Sequence, residues 1–69
     1  MWTVVYIAPS LKEAERIKKF LSTEGFLVKL RTIGLSQIAD DVNTVEILVP
    51  ELEAVEAMET INTALKSII

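Results

Sequence analysis

One uncharged run near the start of the chain restricts everything that follows it. Residues 2–8 read WTVVYIA, with β-branched and aromatic side chains and no charge, glycine or proline. Such a run is a strand whose two faces are both at least partly covered. Pro9 and Ser10 stop it. Ser10 followed by Glu13 has capping-box spacing, in which each side chain takes an orphan backbone N–H of the helix start. Leu11, Ala14, Ile17 and Leu21 then recur at spacings of three and four, with Phe20 beside the stripe, which is one buried face of a helix. Gly25 stands where a left-handed residue ends a helix, so the helix spans about residues 11–24. A strand, a helix and a further strand cross over with right-handed sense, which makes the first two strands parallel.

Two more strands follow. In FLVKLRTI, Phe26, Val28 and Leu30 alternate with Leu27, Lys29 and Arg31. In TVEILV, Val45, Ile47 and Val49 alternate with Thr44, Glu46 and Leu48. Each pattern is a strand with one buried and one partly wet face. Pro50 suits a first helical turn, where its missing N–H costs nothing, and Glu51 and Glu53 suit the positive end of a helix dipole. Leu52, Val55, Met58, Ile61, Leu65 and Ile68 read as the apolar stripe of a second helix. The third strand fits between the first two and antiparallel to both. The expected architecture is α+β: β-α-β-β-α, sheet order 2-3-1, both helices on one face, a split β-α-β lacking its fourth strand. The expected core is Ile17, Leu21, Val28, Leu30, Ile47, Val49, Val55, Met58, Ile61 and Leu65.

With 69 residues the chain is one domain, near the size where a single core is only marginally sufficient. It has no cysteine and no histidine, which excludes disulfide staples and the usual structural zinc sites. Half of its residues are apolar, too many for a disordered chain. The apolar start is too short for a signal sequence or a membrane span, and no later run approaches the roughly 20 apolar residues of a membrane helix, so a cytoplasmic location is expected.

The formal charge of −3 is unevenly spread. Residues 1–33 hold six cations (Lys12, Arg16, Lys18, Lys19, Lys29, Arg31) and three carboxylates (Glu13, Glu15, Glu24). Residues 34–69 hold Lys66 against Asp40, Asp41, Glu46, Glu51, Glu53, Glu56 and Glu59. Two adjacent helices of opposite charge with solvated ion pairs account for this split. A dipolar surface that steers a charged partner is the other reading.

Chemistry-bearing patterns are few. Neither Ser10 nor Ser36 has a recognisable base partner for nucleophilic catalysis. The two glycines stand alone at positions 25 and 34, so no phosphate-binding loop is present. Asp40, Asp41 and Asn43 offer oxygen ligands, but not at EF-hand spacing. No enzyme, cofactor or metal site is expected. Residues 34–43 make a connection longer than a hairpin needs. Within it Leu35, Ile38 and Ala39 have the spacing of one helical turn that closes the core, while Ser36, Gln37, Asp40 and Asp41 are the polar groups available to a ligand. Lys29 and Arg31 point to the open sheet face. If Trp2 and Tyr6 join them there, the face resembles a platform that stacks single-stranded bases. Glu46 on the same face and the acidic balance of the chain argue against nucleic acid.

The segments AERIKKFLSTEGFLVKL and ILVPELEAVEAMETI resemble a family of short bacterial proteins described as prokaryotic signal-transducing proteins, a domain of unknown function. The shared features are Ala14-Glu15, the helix, Glu24-Gly25, and a strand ending in Val49-Pro50-Glu51. The resemblance spans nearly the whole chain and implies a ferredoxin-like fold related to nitrogen-regulatory signal proteins, with no catalytic residues to carry over. Such chains are sometimes labelled glutamate decarboxylase, but a pyridoxal enzyme needs a cofactor-binding domain and a lysine held against it, more than 69 residues can build. The function implied is a regulatory or signal-transducing module that binds a small ligand or protein partner.

The sequence also predicts self-association. The first strand has an edge with no partner in the order 2-3-1, and the chain ends within or just after the second helix, leaving nothing to cover that edge. A homodimer is therefore expected, through strand-edge pairing at Trp2, Val4, Val5 and Tyr6, or through the open sheet faces with Leu27 and Leu48. The competing reading is a monomer whose edge is shielded by Trp2 and Ile68-Ile69 or kept free for another protein's strand.

Overall fold

The computed structural model describes residues 1–32 and 44–68, and their side chains up to residue 66. The order is β1 (Trp2–Ala8), α1 (Leu11–Thr23), β2 (Lys29–Thr32), β3 (Val45–Pro50), a single 3-10 turn (Glu51–Glu53) and α2 (Ala54–Ile68). β3 lies in the middle of the sheet, antiparallel to β1 on one side and to β2 on the other. Both helices pack on one face. This is the expected α+β arrangement, a split β-α-β with the expected strand order.

Local chemistry explains the punctuation. Ser10 is extended and its Oγ accepts the Glu13 backbone N–H at 3.2 Å, the serine half of the expected box. The Glu13 carboxylate turns instead toward Arg16, 4.0 Å away. At the other end of α1, Phe26 N–H donates to the Leu21 carbonyl and Gly25 N–H to the Ser22 carbonyl, at 3.0 and 3.1 Å. These two bonds form a Schellman motif, and the motif requires a residue with positive φ between them. Gly25 supplies it, at φ +99°.

The core is centred on β3. Val45, Ile47 and Val49 are fully buried against Leu21 and Ala14 of α1 and Ala57 and Ile61 of α2. Val28, Leu30, Ile17 and Leu65 pack at its margin, half-buried. Two expected core residues are not there. Val55 is 68% exposed and Met58 43%, and Leu52 at the head of the same stripe is 98% exposed. The face that α2 buries is Ala54, Ala57 and Ile61. The reason is rotational. Each residue turns a helix by about 100°, so a step of three falls about 60° short of a full turn. Three such steps, from Leu52 to Ile61, carry the side chain half-way round. The alanines, at steps of three and four to Ile61 and Leu65, stay on one line.

β1 departs from strict alternation. Val4 pairs with Leu48, but Tyr6 pairs with Ile47, so two residues of β1 span one step of β3. This bulge at Val5 inverts the facing of the strand part-way along. Trp2 and Val4 share the open face with Leu48, whereas Tyr6 and Val5 pack against the core beneath the helices. Trp2 and Tyr6 therefore do not share a face, and the condition for a base-stacking platform on the open sheet face is not met.

Candidate functional site

Three surfaces merit description as sites. The first is the loop between β2 and β3. Its candidate ligand groups Ser36, Gln37, Asp40 and Asp41, and its expected helical turn, lie outside the described residues.

The second is the sheet face opposite the helices. Pairing across β3 places Trp2, Val4, Ile7, Glu46, Leu48, Lys29 and Arg31 on it. Its charges are largely engaged with one another. The Lys29 ammonium lies 5.5 Å from the centroid of the Trp2 ring, a cation–π contact that reaches across the central strand. Arg31 donates from Nε and Nη2 to Glu46 Oε1, each at 2.6 Å, with the Glu46 side chain only 17% exposed. Leu48, expected as part of an open apolar patch, is 4% exposed. It sits in the middle strand, flanked by Val4 and Lys29 and spanned by the Trp2–Lys29 pair, so it is not available to a partner. Val5 is likewise turned inward. Leu27, just before β2, remains 63% exposed.

The third surface belongs to α2. On the flank facing α1, Glu53, Glu56, Glu59, Thr60 and Thr63 meet Glu24, Gly25 and Phe26 around an open groove of about 510 Å³. Glu53 Oε1 accepts the Leu27 N–H there at 3.4 Å. Among the described residues no group of three or more acidic, histidine or cysteine side chains is arranged to hold a metal ion. On the opposite flank stand Val55 and Met58, with Leu52 at the preceding turn. The Met1 carbonyl accepts the Glu51 N–H at 2.7 Å, which brings Met1, 94% exposed, beside that end of the helix. Sequence reasoning missed both flanks for one reason: it assigned the large apolar residues of this segment to the core. Rotational phase along the alanines was the signal that could have found them.

These features define a small α+β domain with an apolar helix flank and an uncharged strand edge. Among the described residues, no helix is long and apolar enough to cross a membrane. No protein-family model, curated protein or solved structure matches the chain.

Proposed function

We propose that the protein is a non-enzymatic regulatory or signal-transducing interaction module, cytoplasmic and homodimeric, that binds a small ligand or a protein partner. The observation that carries this reading is the disposition of bulk on α2. Alanines face the core while Leu52, Val55 and Met58 face outward. A fold that turns its larger apolar side chains to the surface has contact area to offer, and contiguous apolar patches on small proteins mark interaction sites. The resemblance to the prokaryotic signal-transducing family points the same way, and the absence of histidine and cysteine from the sequence removes the commonest catalytic groups.

A ligand shifts such a module only through different affinity for two of its states. The polar groups proposed to meet it are Ser36, Gln37, Asp40 and Asp41. Backbone amide spectra titrated in turn with nucleotides, amino acids and divalent metals test the ligand. Shifts clustered on residues 34–43 support it, and shifts elsewhere or none at all overturn the loop as its site. Single-stranded nucleic acid on the open sheet face is the weaker alternative, because Lys29 already occupies the Trp2 ring and Arg31 is paired with Glu46. An oligonucleotide affinity that falls steeply with added salt would restore it.

A further inference from the structure

We propose that a second copy of this chain docks along the outer edge of β1, joining two three-stranded sheets into one of six strands and bringing the two α2 helices together through Val55 and Met58. The inference rests on the interaction-module reading and names its partner and its contact.

The two outer strands are not equivalent. β2 has four residues and carries Lys29 and Arg31, the charged, short form in which exposed edges are normally kept from pairing. β1 has seven residues and no charge. Among the described residues its outer edge has no strand partner. A long uncharged edge, interrupted only by the bulge at Val5, offers free N–H and C=O groups to a further strand.

The helix layer supplies the second half of the contact. α2 packs over β1 and β3, while α1 packs over all three strands and reaches β2. α2 is therefore the helix nearer the β1 edge. Its glutamate-rich flank faces α1, so the flank bearing Val55 and Met58 faces outward above that edge. The bond from Glu51 N–H to the Met1 carbonyl makes the surface continuous from strand to helix. Met1, Leu52, Val55 and Met58 are 94, 98, 68 and 43% exposed and together present an apolar patch on the order of several hundred Å². The strand edge adds to this patch, against the roughly 800 Å² that each partner contributes to a standard interface.

A second copy fits this surface because the surface is compatible with itself. When β1 pairs antiparallel with its own copy, the two-fold axis stands perpendicular to the sheet. Both helix layers then lie on the same side, and each Val55–Met58 flank meets its equivalent. No like charges oppose one another along the strand, as they would if β2 paired with itself. A different assembly, head to tail, would set the cations of α1 against the glutamates of α2. Salt distinguishes the two. Each copy carries −3, so an apolar self-contact holds or strengthens as salt screens the repulsion, whereas a head-to-tail contact weakens.

Sedimentation equilibrium of the full chain across micromolar concentrations tests the proposal. The expected mass approaches twice 7.7 kDa and does not fall with added salt. The double variant Val55→Glu, Met58→Glu should sediment as a monomer while keeping the parent's helical circular dichroism, because both side chains are already exposed. Leu27→Glu, on the opposite side of the sheet, should leave the dimer intact. A mass that stays near 7.7 kDa overturns the proposal, as does a double variant that still dimerises or a Leu27→Glu variant that does not. None of these results touches the ligand reading, which falls separately if no titrant moves an amide resonance.

Discussion

The two helices have similar lengths and lie on the same sheet, yet they place their exposed apolar side chains differently. α1 turns Leu21 and Ala14 into the core, with Ile17 half-buried, and exposes Lys12, Glu15, Arg16, Lys18 and Lys19. Its two partly exposed apolar residues, Leu11 and Phe20, lie at the edges of the buried stripe, and Phe20 lines a shallow groove between the helices with Ile17, Ile61 and Leu65. α2 buries two alanines and Ile61 and exposes a valine and a methionine. The small side chains let its backbone lie close to the sheet, which the dense packing of protein interiors rewards. The lesson is that bulk and burial are separable. Among the described residues each helix buries one large apolar side chain and exposes two. In α1 the exposed pair, Leu11 and Phe20, lies on either side of the buried stripe, whereas in α2 Val55 and Met58 lie on one side of it.

This contrast breaks most sharply if the wrong residues prove costly. Ile47 is fully buried on the central strand, and Ile47→Ala should lose about 2–5 kcal/mol, a large share of what so small a domain has. Val55→Ala in the same assay should change stability by no more than about 0.5 kcal/mol. Both are measured by urea unfolding at a protein concentration low enough to dissociate the dimer, and equal losses would mean that α2 is rotated from the position described. The opposite substitution sharpens the point. Ala57 has no exposed surface, so Ala57→Leu should force α2 off the sheet at a cost of about 1–3 kcal/mol.

Smaller effects test the frame around the helices. Nothing lies within 4 Å of a methyl group added at Gly25, so Gly25→Ala isolates the backbone term. At φ +99° that term should be about 1–2 kcal/mol, read as a lower melting temperature with no change in the dichroism of the folded state. The Arg31–Glu46 pair should count least. The Arg31 side chain is 61% exposed, and a double-mutant cycle with Arg31→Met and Glu46→Gln should give a coupling of about 0–1 kcal/mol that shrinks as salt is raised.

Much of the fold was legible because its signals are local. The uncharged run of β1, the Ser10 cap, the Gly25 stop and the alternation of β3 each depend on neighbours a few residues away, and each stands where the sequence places it. The strand order followed from handedness and chain length. What the sequence did not disclose depends on comparisons between competing patterns. Leu52, Val55 and Met58 outshine Ala54 and Ala57 on any hydrophobicity scale, yet they do not hold a constant angle to Ile61. The bulge at Val5 leaves no mark in a run where every residue suits either face, so the sequence leaves open whether Tyr6 lies beside Trp2. Leu48 looked exposed because alternation records which face a residue occupies and not what lies over it. Of the candidate site residues, Ser36, Gln37, Asp40 and Asp41 lie outside the described residues, while Trp2 and Leu27 are exposed and Val4 is half-buried.

The bulge has a consequence for how β1 tolerates change in its length. A strand with one supernumerary residue runs in two frames, and the frame shift sits between Val4 and Tyr6. Removing either Val4 or Val5 would restore a regular ladder, the outcome that a deletion in a strand rarely achieves. The same deletion would leave Trp2 opposite Pro50 on the open face, within reach of the Lys29 ammonium, and keep Tyr6 on the core face. Inserting a residue there would lengthen the irregularity without moving Tyr6, Ile7 or Ala8. β1 is thus robust to exchange among apolar residues, and its pairing with β3, not the count of residues before Tyr6, decides which of them meet solvent.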